Sequence, residues 1–410
     1  MNITMWRLVV FVLMLSPTYV VRFLVFKKIP TTLFEILIFI LVCVTCIRAV
    51  HYPAVRMNYR KKIKLIPRSI FFASAIFVIA GIISVCISLD THAALGIFKA
   101  YIVDALLCGF IVWLHLETEE QLFELAVGFS ISLFIISVIG IIQKCTGWGI
   151  PNPFWQAAAT RRITSIFGYP NAVGLYAELL IPFVCALFVH TKQIFMRVWC
   201  VLVLLCAIAA IIFAESSGTI AALGGTTVFL LLIQRRTRIA TLIVCCTLVG
   251  ILFVSPYKKQ FADEFLLQGF SGRLRTQMWK ETVVMLRERP VFGAGLASYQ
   301  KRVKPFHVFT WAEIYLYPHN LFLTMWSELG LLGVISFVWI FCLVILWSVR
   351  AMCLDKKKYM SAVVLASCSI LFIHGLVDVP YFKNDLSVLF WMIVAIALWL
   401  RYTKSNAHAI

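Results

Sequence analysis

Apolar residues in this chain run in blocks of about 17–25, the length an α-helix needs to cross a ~30 Å hydrocarbon layer. Backbone that crosses lipid must satisfy its own N–H and C=O groups, which leaves only helices or closed barrels. The blocks fall at residues 7–26, 31–48, 69–89, 95–116, 124–143, 173–191, 198–214, 218–233, 239–256, 320–347, 359–377 and 386–401. They predict an all-α polytopic membrane protein of about twelve spans. The composition, 62% hydrophobic and 13% charged, excludes a water-soluble enzyme, a coiled coil and a disordered chain. Pro17 interrupts the first span, and Arg22 with no small-residue cleavage site reads as an uncleaved anchor.

The net charge of +19, from 37 Lys plus Arg against 18 Asp plus Glu, would suggest nucleic acid in a soluble protein. In a membrane protein it reports orientation and anionic lipid instead. Residues 48–68 hold Arg48, Arg56, Arg60, Lys61, Lys62, Lys64 and Arg68, and Arg235, Arg236, Arg238 and Lys356, Lys357, Lys358 fall on the same side. The alternate short connections carry only Lys27, Lys28, Lys144, Arg161, Arg162 and Lys383. The positive-inside rule therefore puts both termini in the cytoplasm. The chain divides into 1–143 (five spans), 144–256 (a loop and spans six to nine), an outside loop 257–319, and 320–410 (three spans). Of thirteen cysteines, nearly all lie inside apolar blocks, which predicts buried free thiols rather than disulfides or metal ligands.

The 257–319 loop is the one sizeable polar piece, and it is basic: Lys258, Lys259, Arg273, Arg275, Lys280, Arg287, Arg289, Lys301, Arg302 and Lys304. Residues 272–289, with apolar Met278, Trp279, Val283 and Leu286, predict an amphipathic helix on the membrane surface, stopped by Pro290, Gly293 and Gly295. Most of these cations read equally well as a solvated face. Arg273 and Arg275 are the sharper candidates, since guanidinium forks grip phosphate oxygens in a bidentate way.

His319-Asn320 opens the tenth span, with Gly330 and Gly333 about three turns further on, where they would admit a neighbouring helix. A charged residue near hydrocarbon is a functional candidate by default; Asp378 would accept a proton, orient His319, or simply pair with Lys383. Pro170-Asn171 reads as a turn into the sixth span, Glu178 as an intramembrane carboxylate, and Glu215-Ser216-Ser217-Gly218 as a tight outside turn. All these groups gather on one side of the membrane. There is no Asp-x-Asp pair for a sugar-nucleotide metal and no phosphate-binding P-loop.

These residues resemble the O-antigen ligase and polymerase superfamily of bacterial membrane glycosyltransferases. His319-Asn320-x9-Gly330-x-x-Gly333 looks like the ligase family's His-Asn/Ser-x9-Gly-x-x-Gly/Thr/Tyr motif. Arg275 with Trp279 four residues on, then Pro290-Val291-Phe292-Gly293-Ala294-Gly295, is similar to its outer-loop pattern; Phe167 to Ala172 and Leu376-Val377-Asp378 also look like family segments. The resemblance implies a GT-C-like bundle in the bacterial inner membrane with a periplasmic active face. It further implies an undecaprenyl-diphosphate-linked glycan donor, a lipid A-core or glycan acceptor, inversion at the anomeric carbon, and neither metal nor cofactor. Arg275 would clamp the leaving diphosphate, His319 would be base or diphosphate contact, and Asp378 partner or alternative base. Where many ligases carry an arginine between spans seven and eight, this chain has Ser216-Ser217; Arg161 or Arg162 would substitute.

Three functions compete: a ligase with a lipid A-core acceptor, a polymerase that uses a lipid-linked repeat unit and partners a chain-length regulator, and a lipid-linked-glycan flippase. No nucleic-acid partner is expected. The flippase would spread intramembrane charges along a path, whereas here they crowd at one face. The orientation is tested in a cysteine-free background with single cysteines at positions 62 and 268: in intact cells an impermeant thiol reagent labels 268 and not 62. Reversed labelling overturns the orientation.

Overall fold

A computed structural model describes residues 2–25, 29–234, 237–254, 267–309, 312–354 and 357–405. The helices are α1 (Asn2–Met14), α2 (Leu33–His51), α3 (Pro53–Lys64), α4 (Arg68–Cys86), α5 (Thr91–His115), α6 (Glu119–Thr146) and α7 (Asn171–His190). There follow α8 (Ile194–Ala214), α9 (Ser217–Ile233), α10 (Arg238–Val254), α11 (Phe270–Glu288), α12 (Leu321–Cys353), α13 (Lys358–Gly375) and α14 (Asn384–Ser405). Among the described residues nine helices are long and apolar enough to cross a membrane, and the protein is an all-α, multi-pass membrane protein. The expected first, eighth and ninth spans are the shorter helices α1, α9 and α10, of 13, 17 and 17 residues.

The first span departs furthest from expectation. Instead of running over 7–26, α1 ends at Met14. Pro17 seeds a 3-10 turn over Ser16–Val20 because its ring removes a backbone donor. The chain then makes an antiparallel hairpin, Arg22–Val25 against Ile29–Thr32, with Arg22 opposite Thr32. Elsewhere the local signals act as written. Thr118 and Gln121 form a capping box on α6, and Gly147 closes that helix in the left-handed conformation.

At the centre stands α14, with 89% of its apolar stretch buried. It packs on α5 and α12, while α12 also packs on α4 and α13, and α7 lies against α6, α8 and α13. A helix apolar all round belongs in the interior of a bundle. A π turn over Lys99–Val103 in α5 accompanies a hydrogen bond from the Tyr381 hydroxyl to the Tyr101 carbonyl at 2.8 Å, which ties the 376–383 connection to the core. The cysteine expectation holds only in part: Cys108, Cys200 and Cys368 are buried, but Cys46, Cys86, Cys185 and Cys342 are exposed on the bundle surface.

Two loops are better organised than expected. Within 48–68, α3 buries Lys62, whose ammonium donates to the carbonyls of Trp113 (3.2 Å) and Leu116 (2.7 Å). Burial pushes that ammonium down to about 8. Position 62 would be shielded on either side of the membrane, so exposed Lys61 is the sound site for the inside cysteine. The second case is α11. Its buried side chains Met278, Met285 and Leu286 face the protein, not lipid, and Val283 is exposed. Met285 and Leu286 form a small core with Ala294, Tyr299 and Val303. Glu281 fastens the loop's far limb, accepting from the Val308 N–H at 2.9 Å and meeting His307 Nδ1 at 3.0 Å.

Gly330 is where this loop meets the bundle, and the expectation of a close helix neighbour is corrected there. Gly330 has φ +68° and ψ −172°, a break inside α12. A Cβ on it would lie 2.5 Å from the Val291 carbonyl oxygen, so the partner is the 290–295 turn rather than another helix. Gly293 (φ +67°) reciprocates, since a Cβ there would stand 2.2 Å from the Trp326 carbonyl oxygen. The freed backbone groups pair across the junction: Ala294 N–H to Ser327 O (2.6 Å) and Leu331 N–H to Val291 O (2.8 Å). At Gly333 a Cβ would first meet the Leu329 side chain of its own helix. Gly330→Ala is expected to destabilise the protein by about 2 kcal/mol or more, from the left-handed backbone plus the clash, read as a lower melting midpoint in detergent. Gly224→Ala, in open space on α9, should leave the midpoint unchanged or slightly higher.

Candidate active site

Four chain segments converge at one face of the bundle: the start of α7, the α8–α9 turn, the end of the large loop with the start of α12, and the 376–383 connection after α13. His319 adopts φ +48°, a left-handed conformation that costs a non-glycine residue and is held here by its neighbours. Before it, the Pro318 carbonyl accepts from Trp279 Nε1 at 2.9 Å. After it, Asn320 caps α12 through Oδ1, which accepts from the N–H groups of Phe322 (3.1 Å) and Leu323 (3.0 Å). The Asn320 amide meanwhile donates to the Leu376 carbonyl at 3.0 Å. This ties the start of α12 to the connection that carries Asp378.

His319 Nδ1 lies 3.0 Å from Asp378 Oδ1. The same oxygen accepts from the Val379 N–H at 2.8 Å, and Oδ2 accepts from Asn171 Nδ2 at 3.0 Å. Burial alone would raise the Asp378 carboxyl. His319 first, then His374 and Arg275, outweigh burial and hold it well below the usual carboxylate range. An ionised carboxylate with three donors fixes the His319 ring with Nδ1–H toward Asp378, leaving Nε2 unengaged among the described residues. The imidazole is about a quarter exposed, and Tyr315 meets it edge-on with ring centroids 5.2 Å apart. Lys383, the alternative partner expected for Asp378, instead pairs with Asp385 at 3.3 Å and lies over the Phe167 ring at 4.4 Å.

Arginines flank this dyad. Arg162 Nη2 donates to Asn171 Oδ1 at 3.3 Å, so Asn171 links Arg162 to Asp378. Arg162 also binds the Ala214 carbonyl at 2.9 Å and pairs with Glu215 at 3.5 Å. That places it against the turn where Ser216 is buried and Ser217 exposed. Burial pushes its guanidinium pKa down; Glu215 opposes this and Arg275 adds to it. Arg275 sits on α11 one turn before Trp279, half-buried, with Nη1 donating to Ser271 Oγ at 3.0 Å.

The other expected residues are placed less centrally. Arg273 is exposed on another face of α11. Arg161 is turned away from the dyad, its guanidinium donating to the carbonyls of Lys144 (3.2 Å), Cys145 (3.1 Å) and Gln156 (3.0 Å) at the end of α6. Glu178 lies deeper on α7, against His374. Gly330 acts through the loop junction and Gly333 packs against Leu329 of its own helix, neither of them at the dyad. Lys258 and Lys259 of the basic loop lie outside the described residues, as do Lys27, Lys28, Arg235, Arg236 and Lys356 of the orientation argument.

Sequence reasoning missed two contributors, Tyr315 and Glu328. Tyr315 carries no motif. Trp279 was read both as an apolar position and as the aromatic four residues after Arg275, a spacing that puts both on one side of α11. Glu328, buried in α12 with Oε2 accepting from the Ala297 N–H at 2.9 Å, was legible as a carboxylate inside an apolar span. Among the described residues no three His, Cys, Asp or Glu side chains converge to hold a metal ion.

Residues 201–338 match the family model described as O-antigen ligase. This segment, about a third of the chain, is similar to the O-antigen ligase family. It contains Arg275, His319, Asn320, Gly330 and Gly333, whereas Arg162, Asn171 and Asp378 lie outside it and join the site only through the fold. No curated protein matches the chain.

Proposed function

From that family match and the dyad's geometry, we propose that the protein is an inverting glycosyltransferase of the O-antigen ligase type. It moves a glycan from undecaprenyl diphosphate to an acceptor hydroxyl of lipid A-core, at the periplasmic face of a twelve-span inner-membrane bundle with cytoplasmic termini. The observation that carries the reading is the line Arg162–Asn171–Asp378–His319, with Arg275 acting on Asp378 from the loop. An apolar cavity of ≈ 550 Å³ supports a polyprenyl donor. It runs between α9, α12 and α13, and its wall includes Leu321 and Phe322, immediately beyond the Asn320 cap.

The acceptor hydroxyl attacks the anomeric carbon from the side opposite the diphosphate, so the configuration inverts. His319 Nε2 takes the hydroxyl proton. Asp378 is too strongly held in its ionised form to be the better base, and it instead orients the imidazole and stabilises the imidazolium. Negative charge grows on the departing diphosphate, which Arg275 and Arg162 meet with fixed guanidinium groups. Arg162 borders the Ser216-Ser217 turn and so supplies a cation where the family pattern has its second arginine.

The test incubates purified protein with a lipid-linked glycan and either lipid A-core or a second lipid-linked repeat unit, following products by mass. A lipid A-core adduct supports the ligase; elongation of the lipid-linked glycan makes the acceptor a second repeat unit; no covalent product from either leaves a flippase. Arg275→Lys should lower kcat about 100-fold, because an ammonium keeps the charge but not the fork, while Arg287→Lys on the exposed part of α11 should be tolerated. Equal tolerance at both positions reduces the loop to a charged face. His319→Ala should lower kcat by about 10²–10⁴-fold in protein that still inserts and folds, and a chelator should leave the native enzyme active. Activity lost in chelator and restored by a divalent ion would move the diphosphate role from arginine to metal.

A further inference from the structure

Behind the dyad lies a second polar pair that the chemistry above does not use. Glu178 on α7 and His374 on α13 are 0% and 1% exposed, and His374 Nδ1 stands 2.8 Å from each carboxylate oxygen of Glu178. A dry pair of ionisable side chains is costly among apolar helices unless each satisfies the other, and nothing in bundle packing alone calls for it.

Asn171 and Glu178 are seven residues apart on α7, hence on one face; His374 and Asp378 are four apart at the end of α13. Helix α7 therefore holds the end of α13 at two levels, Asn171 to Asp378 at the surface and Glu178 to His374 beneath. The His374 carbonyl accepts from the N–H groups of Val377 and Asp378, each at 2.9 Å, so the imidazole and the Asp378 backbone belong to one turn. On the remaining side Gly218 of α9 comes so close that a Cβ would sit 2.5 Å from His374 Nε2.

We infer that Glu178 and His374 are positioning residues: their buried contact fixes the last turn of α13 so that Asp378 meets His319 and Asn171 at hydrogen-bond distance. The inference rests on the reading of His319 and Asp378 as the working pair, and its test separates the two. Gly218 is part of the device, because only the absence of a side chain there leaves room for the imidazole.

Full-length variants in phospholipid nanodiscs are compared by kcat and KM for the lipid-linked donor. A second readout is the rate at which diethyl pyrocarbonate modifies His319, followed by mass on its peptide. Glu178→Leu and Gly218→Ala should each lower kcat by about 10–100-fold, the cost of a misplaced catalytic group, with donor KM little changed. They should shift the His319 modification rate in the direction that Asp378→Asn shifts it. Glu178→Gln, whose amide oxygen still accepts from Nδ1, should keep a larger share of kcat than Glu178→Leu. Folded Glu178→Leu protein with parental kcat and parental His319 reactivity, where Asp378→Asn changes both, overturns the inference. If Glu178→Leu does not fold, Gly218→Ala, which removes no ionisable group, carries the same two readouts. If His319→Ala transfers normally, the catalytic reading falls; His319 reactivity alone then decides the positioning, supporting it if Glu178→Leu and Gly218→Ala move as Asp378→Asn does and overturning it if they do not.

Discussion

The close approach of two backbones, the 290–295 turn against the break in α12 at Gly330, organises the face on which the chemistry is proposed. Neither strand of that contact tolerates a Cβ, and the carbonyl and N–H groups freed by the break are taken up across it. Backbone polar groups left open beside apolar helices would cost several kcal/mol each, so docking of the loop stabilises the break in α12. Once the turn is docked, Trp326 Nε1 reaches the Pro290 carbonyl at 2.7 Å, and α11 is laid where Trp279 can hold Pro318. The His319 backbone is thereby held in a conformation it would not adopt alone.

Charge distribution on that face follows from the same docking. The bundle contributes a carboxylate saturated with donors, and the loop contributes Arg275. Arg162 arrives from a third segment, anchored on the Ala214 carbonyl that ends α8. The remaining buried charges nearby are already matched, Lys383 by Asp385 and Glu178 by His374. What is left facing outward is a histidine with one nitrogen committed and two guanidinium groups partly committed. That is a suitable arrangement for an anionic leaving group and an acceptor that must lose a proton, and the adjoining apolar cavity would suit the tail of the same donor.

Where sequence reasoning and structure part, the reasons are specific. The His319 motif was read as a candidate site and its glycines were assigned to helix packing; period-based reading treats a continuous apolar run as a continuous helix and cannot see a break whose partner lies about forty residues away. Arg161 and Arg162 are adjacent and chemically equal on paper, yet one caps the end of α6 and the other reaches Asn171, because successive residues in an extended segment point to opposite sides. The amphipathic pattern of α11 was real, but its apolar face found a protein partner. Lys62 looked like any cation of an inside loop and proved to be a buried cap.

Apolar block length by itself determined that this chain spans a membrane as helices, since lipid offers the backbone no other partner. The isolated polar residues His319, Asp378, Asn171 and Glu178 stood out for the related reason that a polar group in an apolar run must have some use. The sequence offered His319 and Lys383 as rival partners for Asp378 and could not decide between them. The His319–Asp378 contact joins residues 59 apart and the Asn171–Asp378 contact residues 207 apart, and no local periodicity carries that information. Only the packing of α7 against α13, and the seating of the loop in the α12 break, decided that these side chains share one site and that Arg162 rather than Arg161 stands beside it.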